Sequence, residues 1–157
     1  MTAADESAAA VRIRTADADD LDAIMALERA SFGPSAWEAE TMRHEIASEW
    51  GRYLAAVDAE GRLVGYAGLR AVGVEGDVQT IAVADDARGR GIGRALLAEL
   101  LAEAERRGVQ ELFLEVRADN PVARGLYESV GFREIGVRPR YYQPEDVDAV
   151  VMKREAR

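Results

Sequence analysis

Cysteine is absent from this 157-residue chain. That excludes disulfides, thiolate metal ligands and any mechanism that holds an acyl group on an enzyme thiol. The single histidine, His44, is too little for a histidine metal cluster and falls in a predicted surface helix. No metal is expected. No apolar run approaches the roughly 20 residues that cross a bilayer, and the first ten residues carry neither the basic cluster nor the apolar core of a signal peptide. Their Ala, Asp, Glu and Ser content reads as a flexible tail over residues 1–10, ahead of one domain over residues 11–154. The expected address is cytoplasmic, with no membrane partner. Positive charge is scarce as well. With 20 Lys and Arg against 29 Asp and Glu, the net charge of -9 argues against general affinity for nucleic acid and fits a basic peptide better.

What positive charge there is clusters. Arg88, Arg90 and Arg94 fall within seven residues, interleaved with Gly89, Gly91 and Gly93. Around that segment the hydrophobic periodicity is clear. Val11 and Ile13 alternate as a first strand, and Asp17 with Asp20 forms a relative of the capping box ahead of a helix whose apolar face is Leu21, Ile24, Met25 and Leu27. Gly33 and Pro34 break the chain, and a second helix is expected from about Ala36 to Glu49 with Trp37, Met42 and Ile46 inward. Strands follow at Tyr53–Val57, Leu63–Val72 and Asp77–Val83. A long helix is predicted from Gly93 to Arg107, with Gly108 as its C-cap. Leu112, Leu114 and Val116 alternate as a strand, Pro121 opens a short helix to Val130, and residues 132–153 suit two closing strands. The order implies an α/β chain with a mixed sheet and a helix-bearing parallel crossover between the fourth and fifth strands.

The segment from Arg88 to Arg94 lies between a strand and a long helix. Its glycines let the backbone approach a ligand, and the first amides of the helix have no internal partners. Together with the helix dipole they suit a pyrophosphate. A Rossmann loop needs a glycine where Arg94 stands and a turn directly after the strand, and a Walker loop needs a Gly-Lys-Ser/Thr ending. Neither is present; a plain solvated glycine loop remains the bland alternative.

The pattern carried by Arg88, Gly91 and Gly93 resembles the pyrophosphate loop of the GCN5-related N-acetyltransferases. The segments Leu114-Glu115-Val116-Arg117-Ala118-Asp119-Asn120, Leu126-Tyr127-Glu128-Ser129-Val130-Gly131-Phe132 and Arg140-Tyr141-Tyr142 resemble the RimI branch of that family, which acetylates the N-terminal alanine of a small-subunit ribosomal protein. The resemblance implies a central mixed, mostly antiparallel sheet of about seven strands with about four helices. It also implies acetyl-CoA as cosubstrate, held by Arg88, Gly89, Arg90, Gly91, Ile92, Gly93 and Arg94 at the pyrophosphate. Main-chain groups of Ile81, Ala82 and Val83 would meet pantetheine, with Asn120 as a further contact. Glu115 is implied as general base, acting directly or through a water, and Tyr127 as general acid. A basic ribosomal protein is the implied partner, and the chain is expected to be a monomer or weak dimer.

The chemistry is consistent with those roles. A free α-amine has a pKa near 7.7–8.0 against about 10.4 for lysine, which makes the neutral nucleophile easier to reach by about 3 kcal/mol. Apolar neighbours Phe113, Leu114 and Val116 are expected to surround Glu115. Strand alternation alone leaves it facing solvent. Tyr127 alone could pack as a helix aromatic, and Asn120 before Pro121 could simply cap a helix. Tyr141 and Tyr142, as strand neighbours, are expected to point to opposite faces, one into the substrate groove and one into the core. Trp37 is expected in the other groove wall. Two positions depart from the branch: Val147-Asp148-Ala149 stands where it carries Glu-Asp-Ala, and Ala36-Trp37 replaces a Pro-Trp pair. An acetyltransferase for a small-molecule amine or a lysine side chain, and a non-catalytic acyl-CoA sensor, remain as alternatives.

Overall fold

The computed structural model describes residues 11–156, so the tail expected at 1–10 lies outside the described residues. The elements run β1 (Arg12–Thr15), α1 (Leu21–Phe32), α2 (Ala39–Ala47), β2 (Gly51–Val57), β3 (Leu63–Val72), β4 (Glu75–Val83), α3 (Ile92–Arg106), β5 (Glu111–Arg117), α4 (Pro121–Ser129), β6 (Arg133–Tyr142) and β7 (Val147–Glu155). The seven strands form one sheet in the order β1-β2-β3-β4-β5-β7-β6. Every neighbouring pair is antiparallel except β4 and β5, which α3 joins as the expected parallel crossover.

Two apolar layers sandwich the sheet. On one face Leu96, Leu97 and Leu100 of α3 pack with Leu112, Leu114 and Val116 of β5 and with Tyr127 of α4. Each of those three α3 leucines is fully buried, a contribution of roughly 1.5–3 kcal/mol apiece. On the other face Ile24 and Met25 of α1 and Met42 of α2 pack on Tyr53, Tyr66 and Ala82. The entry to α1 is fixed by charge. Asp17 and Asp20 complete a reciprocal capping box over residues 18–20, and Asp20 takes two 2.8 Å hydrogen bonds from Arg14. That guanidinium holds the Asp20 carboxyl below its usual range.

Two departures from the expected boundaries bear on function. The second helix starts at Ala39 rather than Ala36, because Glu38 is extended and the Trp37 amide is drawn to Glu28 on α1. In β4, Gly68 pairs with Thr80 and Leu69 with Val78, so Gln79 is an extra residue in the strand. This bulge lets Gln79 and Thr80 both face the α1–α2 layer. Gln79 accepts from the Tyr53 hydroxyl at 2.9 Å and donates to Glu45 of α2 at 2.7 Å, while Thr80 donates to Glu28 at 3.2 Å.

Tyr53 needs a bare residue across from it. A Cβ placed on Gly68 would lie 2.2 Å from the Tyr53 ring, which is itself 2% exposed. Gly68→Ala is therefore expected to destabilise the fold by about 2–3 kcal/mol through overpacking, read as a fall in Tm of roughly 5–10 °C.

Candidate active site

The parallel pairing of β4 with β5 covers three residues on each strand, Glu75–Asp77 against Glu111–Phe113. Beyond it the strands part. Val78 to Val83 on one side and Leu114 to Arg117 on the other line a cleft of about 1650 Å³. Main-chain groups of Ile81, Ala82 and Val83 thus pair with β3 on one edge and border the cleft on the other. A ligand bearing amides can extend a strand edge of this kind.

One end of the cleft is the loop into α3. Gly89 and Gly91 both have φ of +79°, a left-handed conformation that L side chains rarely adopt, and Gly91 is the N-cap of α3. A Cβ on either would meet nothing within 4 Å in the protein. Gly93, by contrast, is helical and lies in ordinary contact range of Val83 and Leu126. Arg88, Gly89, Gly91, Ile92, Gly93 and Arg94 line the cleft. Ile92 does so while buried in the core. Arg88 is held near Asp85 at 3.3 Å, and Arg94 donates to Ser129 at 3.1 Å. Arg90, between two left-handed glycines, is exposed, is not among the residues that line the cleft, and lies in the field of Asp86.

Glu115 and Tyr127 reach the cleft from opposite layers. Glu115 is half-buried on the α1–α2 face of β5, and its expected apolar surroundings are not what the carboxylate meets. Leu114 and Val116 point into the opposite core, and Arg138 of β6 lies 3.2 Å from Glu115 Oε1. Glu115 also lies close enough to act on Tyr141, where burial first, then that negative charge, pushes the phenol up. Tyr127 is 6% exposed, with its ring edge-on to Phe132 at 5.9 Å. Burial raises its pKa well above the ordinary phenol value, so the hydroxyl stays protonated at any physiological pH.

Asn120 divides its amide. Its Oδ1 accepts from the Ala123 amide at 3.1 Å as the N-cap of α4, and the residue also lines the cleft. The oxygen expected to serve pantetheine is thus engaged by the helix, which leaves the NH₂ as the donor available to a ligand.

The far end of the cleft has two walls. One is the segment between α1 and α2, where Phe32, Ser35 and Trp37 border the space. The other is the β6–β7 hairpin, and here the expected alternation fails. Tyr141 and Tyr142 both line the cleft, with rings perpendicular at 5.1 Å, and neither is core. Arg140 has φ of +54° and the β6–β7 register shifts between Arg138 and Tyr142, so the two-residue alternation is broken just before the tyrosines. Asp148 Oδ1 secures the bend by accepting from the Arg140 amide at 2.9 Å. Arg117 stacks over Tyr142 and Arg138 over Tyr141. Burial pushes the Tyr142 phenol up to about 12.

Among the cleft residues to which the sequence attaches no expectation, Glu28 stands out by its burial. Glu28 is 1% exposed, and its carboxylate accepts from Tyr66, Thr80 and the Trp37 amide while also bordering the cleft. Its place in the first helix, one residue after Leu27 on the apolar face, is the sole local signal.

Fold and cleft together describe an acyl-transfer enzyme, and the comparisons bear this out. The acetyltransferase (GNAT) family model matches residues 21–132, and the chain belongs to that family. Within it, several relatives are named RimI or ribosomal-protein alanine N-acetyltransferase. The chain is 44% identical over 128 residues to N-alpha-acetyltransferase RimI of Mycobacterium tuberculosis, covering 79% of this chain and 78% of the relative. A crystal structure of the ribosomal-protein-S18-alanine N-acetyltransferase from Escherichia coli superposes with a TM-score of 0.83 at 33% identity, covering 92% of this chain and 93% of that one. The chain is also 46% identical over 142 residues, 87% of its length, to a Mycobacterium leprae protein called uncharacterized, of which it spans 38%.

Proposed function

We propose that this chain transfers the acetyl group of acetyl-CoA to the α-amine of a protein N-terminus, with an N-terminal alanine of a ribosomal protein as its target. The observation that carries the reading is that Glu115 and Tyr127, from opposite layers, border one cleft whose ends are a glycine turn at a helix start and a pair of tyrosines. The names of the RimI-type relatives support the substrate class.

The residues suit the cosubstrate. Gly89 and Gly91 leave room where a side chain would stand, and the α3 amides with Arg88 and Arg94 offer a positive cradle for a diphosphate. The Ile81–Val83 edge and the Asn120 NH₂ would meet the pantetheine amides. Acetyl-CoA supplies an activated thioester carbonyl and a thiolate leaving group. Glu115 takes the proton from the acceptor amine, and Tyr127 gives its proton to the departing sulfur. Burial keeps the Tyr127 hydroxyl protonated near neutrality, so it enters the step with a proton to give.

The test is incubation with acetyl-CoA and peptides beginning with Ala, Ser, Gly or Met, followed by mass measurement. Addition of 42 Da, about one acetyl group, at the α-amine of the Ala peptide is expected. Acetylation of polyamines or aminoglycosides in preference to every peptide would replace this reading with small-amine transfer. Binding of acetyl-CoA with no transfer to any amine would favour the sensor. In the same assay Tyr127→Phe is expected to lower kcat by about 100-fold with little change in acetyl-CoA affinity; a wild-type rate would reduce Tyr127 to packing.

A further inference from the structure

Glu28 is more deeply buried than any other charged side chain among the described residues, and the proposed chemistry leaves it unused. A carboxylate out of water persists when its oxygens are satisfied by donors. Those of Glu28 divide their partners by location. Oε1 accepts from the Tyr66 hydroxyl of β3 and from Thr80 Oγ1 of β4 at 3.2 Å, so it is anchored to the middle of the sheet. Oε2 accepts from the Trp37 amide at 2.9 Å. That amide belongs to no helix or strand, and its neighbours Ser35 and Trp37 form one wall of the cleft facing the two tyrosines. The β4 bulge is what turns Thr80 toward Glu28, so the anchor is built by the same irregularity that shapes the cleft.

We propose that Glu28 is a positioning residue that sets the width of the acceptor channel by tying the α1–α2 segment to the sheet. This rests on the peptide-acetyltransferase reading given above. A peptide acceptor is gripped along its backbone by two walls, so their separation decides its affinity, whereas acetyl-CoA enters from the glycine turn and does not meet this tie. Removing the carboxylate frees the Trp37 amide and lets the segment drift outward.

The experiment is steady-state kinetics on the full chain with acetyl-CoA and the Ala peptide, comparing wild type, Glu28→Ala and Glu28→Gln. In Glu28→Ala the KM for the peptide is expected to rise at least tenfold while the KM for acetyl-CoA stays within twofold. Glu28→Gln is expected to bring the peptide KM back to within threefold of wild type, since its amide oxygen can accept from Trp37 and its NH₂ can donate to the two hydroxyl oxygens. Equal rises in both KM values, or an unchanged peptide KM in a folded Glu28→Ala protein, would overturn the proposal. Should Glu28→Ala not fold, amide hydrogen exchange on wild type decides the matter. The Trp37 amide is expected to exchange as slowly as those of α1, and rapid exchange would show that no tie exists. Inactivity of wild type toward every peptide would sink the functional reading, while the exchange measurement still tests the tie itself.

Discussion

Turnover by Glu115→Gln is expected to fall by about 10²–10⁴-fold at saturating acetyl-CoA and peptide, the range for loss of a general base, or about 3–5 kcal/mol in the barrier. The substitution keeps the size of the side chain and one oxygen, so the contact with Arg138 survives in part. Acetyl-CoA affinity is expected to stay within a few-fold, because Glu115 lies across the cleft from the glycine turn rather than in it. The ion pair sharpens the test. Arg138 is largely exposed, so its hold on Glu115 is of the weak, solvent-screened kind and does not remove the carboxylate from service. If turnover is unchanged, Glu115 is a surface partner of Arg138 and the proton leaves by another route.

Gly91→Glu is expected to weaken acetyl-CoA binding by at least about 100-fold while the protein stays folded. Stability has two opposed contributions at this site. A residue with a Cβ at φ of +79° costs about 1–2 kcal/mol, and a carboxylate at the start of α3 recovers about 0.3–1 kcal/mol from the helix dipole. Nothing in the protein lies within 4 Å of the new Cβ, so no internal clash adds to this. Any large loss must therefore come from the carboxylate meeting the diphosphate. Calorimetry gives the affinity directly. Thermal melting gives a second reading, since a ligand at 100 times its Kd raises stability by about 2.7 kcal/mol and that gain should vanish in the variant. Stabilisation by CoA that persists in Gly91→Glu would mean that the diphosphate is held elsewhere.

Much of this was legible because it is local. The α3 leucines at helical spacing, the glycine-arginine turn before them and the alternation of Leu112, Leu114 and Val116 each depend on residues a few positions apart, and the structure holds them as expected. The parting of β4 from β5 depends on the register of strands more than thirty residues apart, which a sequence does not display. Alternation predicts opposite faces for Tyr141 and Tyr142 because it assumes unbroken pairing, and the left-handed Arg140 breaks it. The same holds for Glu28. Its three donors come from β3, β4 and the segment before α2, and a glutamate in an amphipathic helix gives no sign that such donors will converge on it. Arg138 beside Glu115 likewise comes from another strand.

The kink at Arg140 has one further consequence, for life among neighbours. β6 is one of the two edge strands of the sheet, and Ile135 and Val137 stand exposed along it. A straight strand of that kind would offer its free main-chain groups as a template to another molecule. The bend, with Pro139 just before it, cuts the usable length of that border and leaves charged arginines around it, so crowding of the protein in the cell meets an interrupted, poorly adhesive rim.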